Sequence, residues 1–281
     1  MNHTTFDLTR GLFWAAAAIG IWSGSLIMLR LGVTTSLNAY DLVALRFGLA
    51  AVLLAPVILR QGFAFKRLGV TGIVTMVVGF GAPYVLLLTV GLHHAPAADA
   101  GALNPGLMAV CVALAGWALF ADPMGRMRIA GIGAILVGAA LVVGLSALGE
   151  TGGRQWLGDA IFAFTALMWT AYILTVRRAG IRALHATAIV AVGTGLLYLP
   201  VYVIALPKRL FDAPFADLTV QALYQGVLTG VVAVFAFNRS TEYLGTTAGA
   251  CLPALIPLTT LILGPSFSAK RQQCRRPARP Y

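Results

Sequence analysis

The sequence predicts an all-α integral membrane protein with about nine transmembrane helices. Of its 281 residues, 59% are apolar and only 10% are charged, and the mean hydropathy is +0.86. Soluble domains carry about 25% charged residues, and a soluble chain of this length could not hide so much apolar surface from water. Apolar runs separated by short polar turns then give the number of helices, because about 20 apolar residues span a bilayer.

The predicted helices come from nine apolar runs, none of which is separated from the next by a turn long enough to hold a soluble domain. We interpret the first run as a retained helix and not as a signal peptide, because it is long and is followed by Arg30. The runs cover residues 11–29, 39–59, 68–90, 95–120, 129–148, 157–176, 186–206, 220–238 and 243–264.

The net charge of +11 does not indicate nucleic-acid binding. The basic residues stand singly or in small groups between apolar runs, as loop charges of membrane proteins do. Most of the loop Lys and Arg residues fall on one side if the N-terminus is cytoplasmic, which predicts that orientation in a cytoplasmic (inner) membrane. The basic segment 265–281 breaks the pattern, and we expect either a native basic tail or a truncated or frame-shifted end.

Two matches at nearly one offset indicate an internal repeat. Trp22 in the first run corresponds to Trp169 in the sixth, and the segment 100–105 matches 248–253 in its small residues and its proline. The repeat predicts a five-helix unit over 11–148 and an incomplete second unit over 157–264, without a tenth helix. An odd number of helices per unit inverts the second copy, an arrangement typical of secondary transporters with a site near the midplane.

Short motifs along the chain resemble the EamA-type members of the drug/metabolite transporter superfamily over about residues 10–264. Each motif is weak, but their order and spacing together are specific; they are the segments 21–25, 44–47, 102–105, 158–159, 177–178 and 254–257. The resemblance implies a ten-helix fold that exports or takes up a small metabolite. Asp122 departs from the family pattern, which usually has a glutamate after the fourth helix, and the tenth helix is missing.

Seven residues are candidates for substrate binding: Trp22, Ser25, Arg46, Tyr84, Asn104, Trp169 and Tyr172. The two tryptophans hold equivalent places in the two units and either form cavity walls or pack the core. Ser25 and Tyr172 follow them by three residues, on a similar helix face. A charge deep in a bilayer costs about 2.5–3.5 kcal/mol. Arg46 should therefore face a cavity or pair with Asp41 near the interface.

Prolines within the apolar runs predict helix kinks, because proline lacks the backbone donor that a helix interior uses. Tyr84 and Asn104 lie beside two of these prolines. We expect either static kinks or hinges at Pro83, Pro105, Pro253 and Pro257.

Glycine pairs four residues apart, such as Gly226 and Gly230, permit close helix approach. We expect them to pack helices within the chain, with a homodimer interface as the alternative. Near the end of the eighth run, Asn238, Arg239 and Glu242 predict a surface salt bridge.

The sequence carries none of the common catalytic or phosphate-binding motifs, so we expect no enzyme activity, no cofactor and no metal. The favoured function is a secondary transporter of a small metabolite or drug-like molecule, working by alternating access. The expected partners are this substrate and the lipid bilayer, with no nucleic acid. The alternative is a truncated, non-transporting remnant or a lipid-handling partner subunit.

Overall fold

The computed structural model describes residues 5–34, 37–148, 154–256 and 259, and this part of the chain is helical without a β-strand. Most helices begin and end within a few residues of the predicted apolar runs. They are α1 (Thr5–Thr34), α2 (Ala39–Gln61), α3 (Phe65–Phe80), α4 (Ala82–His94), α5 (Ala97–Phe120), α6 (Arg126–Leu148), α7 (Gln155–Ala179), α8 (Ala183–Ala205), α9 (Phe215–Gln221), α10 (Val234–Leu244) and α11 (Thr246–Cys251).

Within the described ranges, seven helical segments are long and apolar enough to cross a membrane. Two of them combine shorter elements. The segment Phe65–His94 contains α3 and α4, and Phe215–Leu244 joins α9 to α10 through a π-helical segment, Ala222–Ala233. A shorter apolar helix, Thr246–Leu255, ends in a 3₁₀ turn over Leu252–Leu255. The chain is thus a multi-pass membrane protein.

The break between α3 and α4 lies at Gly81, whose φ of −94° and ψ of −149° are not helical. A Cβ at this residue would collide with the carbonyl oxygen of Val77 and the hydroxyl of Thr194. Only glycine therefore fits at position 81, because Val77 and Thr194 lie too close to leave room for a side chain. Pro83 lies in the first turn of α4, where the missing N–H costs nothing. The predicted kink is present, and glycine rather than proline is the residue at the break.

The start of α2 is fixed by a capping box between Asn38 and Asp41. The Asp41 N–H donates to Asn38 Oδ1, and the Asn38 N–H donates to Asp41 Oδ2, both at 2.9 Å. The buried Asp41 also accepts a 2.6 Å hydrogen bond from the hydroxyl of Tyr202 on α8. The carboxylate of Asp41 therefore accepts hydrogen bonds from the Asn38 N–H and the Tyr202 hydroxyl. The described residues form two ion pairs, and neither joins Asp41 to Arg46.

Glycines of the π-helical segment let it pack closely on α2. A Cβ at Gly226 would lie 2.8 Å from Leu49 Cβ, and one at Gly230 would lie 2.9 Å from the Arg46 carbonyl oxygen. The predicted packing of this glycine pair within the chain is confirmed. Helix α6 differs, because none of its apolar span Arg126–Gly144 is buried.

The turns fall at two ends of the bundle. At one end, which we name the Asp122 end, lie the turns 62–64, 121–125 and 180–182 together with Gly245. Contacts between His185 and Gly62 and between Thr247 and Asp122 join these turns. The other end, the Asn38 end, contains the starts of α2 and α5 and the segment 206–214, and the Asn38 side chain donates to the Pro207 carbonyl there.

Candidate functional site

A central cavity of about 580 Å³, including its opening, brings together six of the seven predicted substrate-binding residues. They come from α1, α2, α4, α5 and α7. The six residues are Trp22, Ser25, Arg46, Tyr84, Asn104 and Trp169. The seventh, Tyr172, is not part of the lining.

Arg46 supplies the positive charge of this cavity. It is the eighth residue of α2, and its Nε atom is buried without a hydrogen-bond partner. Its guanidinium carbon lies 5.7 Å from the ring centroid of Phe47. The two ion pairs formed by the described residues involve other arginines. A buried cation without a carboxylate partner is costly in a bilayer, so an anion bound there would be strongly favoured.

A chain of buried hydrogen bonds fixes the polar side of the cavity. The Tyr84 hydroxyl donates to Asn104 Oδ1 at 3.0 Å, and Asn104 Nδ2 donates to Thr165 Oγ1 at 2.6 Å. Thr165 donates in turn to the Phe162 carbonyl. These bonds link α4, α5 and α7 and set the orientation of the Asn104 amide. Thr165 was not among the predicted site residues, because a threonine within an apolar run carries no distinctive pattern.

Five aromatic rings in mutual contact, which we name the aromatic floor, lie at the inner side of the cavity: Trp22, Phe80, Trp169, Tyr172 and Phe237. The ring centroids of Trp22 and Trp169 are 5.3 Å apart at 89°, and those of Phe80 and Tyr172 are 4.9 Å apart at 13°. Phe237 packs against both tryptophans at 5.5 Å. Edge-to-face and offset contacts of this kind are the favoured aromatic geometries, so the floor is a well-packed barrier.

Tyr172 belongs to this floor and not to the cavity wall. Its buried hydroxyl donates to Asn238 Oδ1 at 2.8 Å, and Asn238 Nδ2 donates to Thr187 Oγ1 at 3.2 Å. Asn238 is therefore a core residue, although the sequence indicated a surface turn. The predicted pairing of Arg239 with Glu242 is present beside it.

The predicted hinge prolines occupy different settings. Pro105 lines the cavity within α5, which continues unbroken past it. Pro253 is buried in the 3₁₀ turn after α11, and Pro257 lies outside the described residues. Their hinge role stays a prediction.

Ser25 contacts a polar residue that sequence reasoning did not select. Its hydroxyl donates to Gln225 Oε1 at 3.3 Å, from α1 to the π-helical segment. The Gln225 Nε2 atom is buried without a hydrogen-bond partner. π-Helical segments often occur at functional sites, and this one places a free amide donor behind the cavity wall.

The cavity lies in the half of the bundle nearer the Asn38 end. Arg46 is near the start of α2, and Ala100 and Asn104 are in the first third of α5. Leu88 is midway along α4, which ends at the same end of the bundle. The aromatic floor separates this space from the Asp122 end. The bundle is therefore closed on one side of the cavity.

At the Asp122 end, a second closure joins three parts of the chain; we name it the Asp122 latch. Arg177 Nη1 and Nη2 each donate to an Asp122 carboxylate oxygen at 2.7 Å, and Thr247 Oγ1 donates to the same carboxylate at 3.3 Å. The Arg177 guanidinium carbon lies 4.0 Å from the Phe120 ring centroid. Hydrogen bonding from Arg177 holds the pKa of the Asp122 carboxyl below its usual value.

Comparisons with known proteins agree with this architecture. No curated protein matches the chain. A solved crystal structure, described only as that of a protein, aligns with 97% of this chain and 90% of its own chain at a TM-score of 0.66 and 21% identity, which shows a shared fold alone. The sequence model of the EamA-like transporter family matches residues 9–144, and this family comprises transporters and not enzymes. Over residues 9–144 the chain is therefore similar to the EamA-type proteins of the drug/metabolite transporter superfamily, a superfamily of membrane transporters.

Proposed function

We propose that the protein is a secondary transporter that moves a small anionic metabolite across the cytoplasmic membrane by alternating access. One observation carries the proposal: the buried, unpaired Nε of Arg46 lines the same cavity as Trp22, Tyr84, Asn104 and Trp169. A transporter needs a site that is buried in the membrane and yet unsatisfied without its substrate. The alternative of a non-transporting remnant or lipid-handling subunit is not favoured by the match to a transporter family.

The lining of the cavity supports a small anionic molecule as the substrate. Arg46 would bind a carboxylate or phosphate, since a guanidinium pairs with such groups through charge-assisted hydrogen bonds. The rings of Trp22 and Trp169 would contact an apolar or planar body.

The closure of the bundle on one side of the cavity supports alternating access. The cavity lies on one side of the aromatic floor, so passage toward the Asp122 end requires Trp22 and Trp169 to separate and the Asp122 latch to open. We propose nine transmembrane helices built from an inverted repeat, which the central meeting of these two tryptophans supports. Because the chain has no nucleotide-binding motif, a gradient of substrate or ion would drive the cycle.

The distribution of basic residues supports one orientation of the protein in the membrane. The turns at the Asp122 end and the first residues of the helices that follow them carry Lys66, Arg67, Arg126 and Arg182. Cytoplasmic loops carry an excess of basic residues. We therefore place this end, and the N-terminus, in the cytoplasm. A homodimer remains a prediction. A second copy would pack on α6, which faces lipid. Several glycines of α6 have open space beside them, since a Cβ added there would meet no atom within 4 Å.

A ligand panel tests the proposed substrate class. The purified protein is heated in detergent with matched pairs that differ only in charge, phenylacetate against phenylacetamide and hexanoate against hexanamide. We expect the carboxylates, and not the amides, to raise the unfolding temperature. Arg46→Gln should remove the effect, whereas Arg178→Gln, which changes an exposed arginine outside the cavity, should retain it. Equal shifts from acids and amides, or shifts that survive Arg46→Gln, would contradict the assignment.

A further inference from the structure

A second cavity lies at the Asp122 end, between the α2–α3 turn and the α7–α8 turn. It has a volume of about 1320 Å³, including its opening to solvent. Its basic lining residues are Lys66, Arg67, Arg182 and His185, and no aspartate or glutamate lines it. We name it the basic pocket. It shares no lining residue with the cavity at Arg46.

The basic pocket is a defined concavity and not a loose group of surface charges. His185 Nε2 forms a 2.8 Å hydrogen bond with the Gly62 carbonyl, and Arg67 Nη1 donates to the Gly180 carbonyl at 3.4 Å. Gly62 and Gly180 have φ values of +66° and +59°, a region that favours glycine. These contacts hold two turns together that are more than a hundred residues apart in the sequence.

The positive charges of the basic pocket are not neutralised by acidic side chains in the described part of the chain. Neither of the two ion pairs there includes Lys66, Arg67 or Arg182. Glu242 lies close by, since its carboxylate accepts a hydrogen bond from the Ala183 N–H. Its other oxygen is already paired with Arg239. The pocket therefore presents a net positive field to whatever occupies it.

The surroundings of the basic pocket are those of a membrane interface. Leu59 and Phe65, just before and after the α2–α3 turn, are 85% and 59% exposed, and Val70 one turn further along α3 is 69% exposed. In a bilayer these side chains would contact acyl chains. A groove lined by Arg67, Thr71 and Thr175 runs between α3 and α7 from the same place, so a phosphate in the pocket would have acyl chains beside it.

We propose that the basic pocket binds the phosphate-bearing headgroup of an anionic phospholipid from the leaflet at the Asp122 end. Basic pockets between transmembrane helices recognise such headgroups through charge. The bound lipid would bridge the α2–α3 turn and the α7–α8 turn. It would thereby stabilise the contact between the first and second halves of the chain at this end.

Native mass spectrometry of the purified protein in detergent tests this site. Phosphatidylglycerol and phosphatidylcholine of identical acyl chains are titrated onto the wild type, Lys66→Gln/Arg182→Gln, and the control Arg126→Gln/Arg128→Gln. Lys66, Arg126 and Arg182 are exposed and Arg128 is partly exposed, all at the same end. Both variants lose two positive charges, and Arg67 keeps its bond to Gly180. Unfolding temperatures in phosphatidylcholine confirm that each variant is folded.

We expect the wild type and the control to retain phosphatidylglycerol in preference to phosphatidylcholine. Each basic residue lost should weaken binding about fivefold, so the pocket variant should bind roughly thirtyfold more weakly. If that variant does not fold, Arg182→Gln alone should show about a fivefold loss. Equal binding by all variants, or equal retention of the two lipids, would overturn the proposal. Displacement of the lipid by millimolar glycerol 3-phosphate would also overturn it, because a free anion would then be the ligand.

Discussion

The indole rings of Trp22 and Trp169 meet edge to face, with centroids 5.3 Å apart, at the point where α1 and α7 cross the centre of the bundle. Both residues line the cavity and both belong to the aromatic floor beneath it. The same contact thus forms part of the cavity that we propose as the substrate site and part of the floor that would block passage toward the Asp122 end. Binding at the cavity and opening toward the Asp122 end would be coupled through this pair.

The bond between Tyr172 and Asn238 supports the aromatic floor from below. Tyr172→Phe keeps the ring on Phe80 but leaves the buried Asn238 Oδ1 without its donor. We expect a loss of about 1–3 kcal/mol in the free energy of unfolding, measured by denaturant titration in detergent. Tyr243→Phe, which removes a partly exposed bond to Arg239, is the control and should cost less than about 0.5 kcal/mol. Equal effects of the two changes would show that the floor does not depend on this bond.

The Asp122 latch predicts a pH dependence of stability. Because Arg177 lowers the pKa of Asp122 in the folded state, the ionised carboxylate is the form that folding stabilises. Its contribution is therefore fully present above the unfolded pKa and is lost as the pH falls through the folded pKa. We expect Asp122→Asn to lower the unfolding temperature above about pH 5. The difference from the wild type should close below the ordinary carboxyl pKa of 3.8.

The control for this pH profile is Asp212→Asn, an exposed residue in the turn before α9. Its unfolding temperature should follow the wild type at every pH. The pair is partly exposed, at 22% for Arg177 and 21% for Asp122, so the effect at neutral pH should be about 1 kcal/mol or less. A gap between wild type and Asp122→Asn that persists unchanged at pH 3 would contradict the assignment.

Two helical glycines predict opposite responses to the same substitution. A Cβ at Gly79 would lie 2.7 Å from the Met168 carbonyl oxygen, so Gly79→Ala must separate α3 from α7. We expect a loss of about 1–3 kcal/mol. A Cβ at Gly131 of α6 would meet nothing within 4 Å, so Gly131→Ala should be neutral or stabilising by up to about 1 kcal/mol. Thermal unfolding in detergent compares the two, and equal destabilisation would contradict the described packing.

The proposed orientation is tested with single cysteines. In a background with Cys111, Cys251 and Cys274 changed to serine, Gln61→Cys at the Asp122 end should react with a membrane-impermeant maleimide in inverted vesicles only. Asp212→Cys at the Asn38 end should react in right-side-out vesicles only. The reverse pattern would place the basic turns outside and overturn the proposed topology.

Much of the architecture could be predicted from the sequence because hydrophobic length determines transmembrane helices directly. The predicted run 39–59 corresponds to α2, and 186–206 corresponds to α8, within a few residues. Six of the seven proposed binding residues could be selected from the sequence because each is a repeated tryptophan or an isolated charge, or lies near a proline or one of these tryptophans. These features are unusual within apolar helices and therefore visible without a structure.

Contacts between distant helices could not be predicted in the same way. Phe80 and Phe237 look like any other apolar residue of their helices, and their place in the aromatic floor depends on how α3, α7 and α10 pack. Asn238 was assigned to a surface turn because Arg239 and Glu242 follow it, yet α10 turns its side chain into the core. The ion pair of Asp122 with Arg177 joins residues 55 positions apart, a separation for which local patterns carry no information.

The central claim, that the cavity at Arg46 is a transport site for anions, is tested most directly by flux. Proteoliposomes loaded with radiolabelled phenylacetate or hexanoate are diluted, and release is compared among empty liposomes, wild type, Arg46→Gln and Arg178→Gln. We predict saturable release through the wild type and Arg178→Gln, with a reduction of about tenfold or more in Arg46→Gln, because a charge-assisted hydrogen bond is lost. Release through Arg46→Gln at the wild-type rate, or release through the wild type no faster than from empty liposomes, would contradict the account.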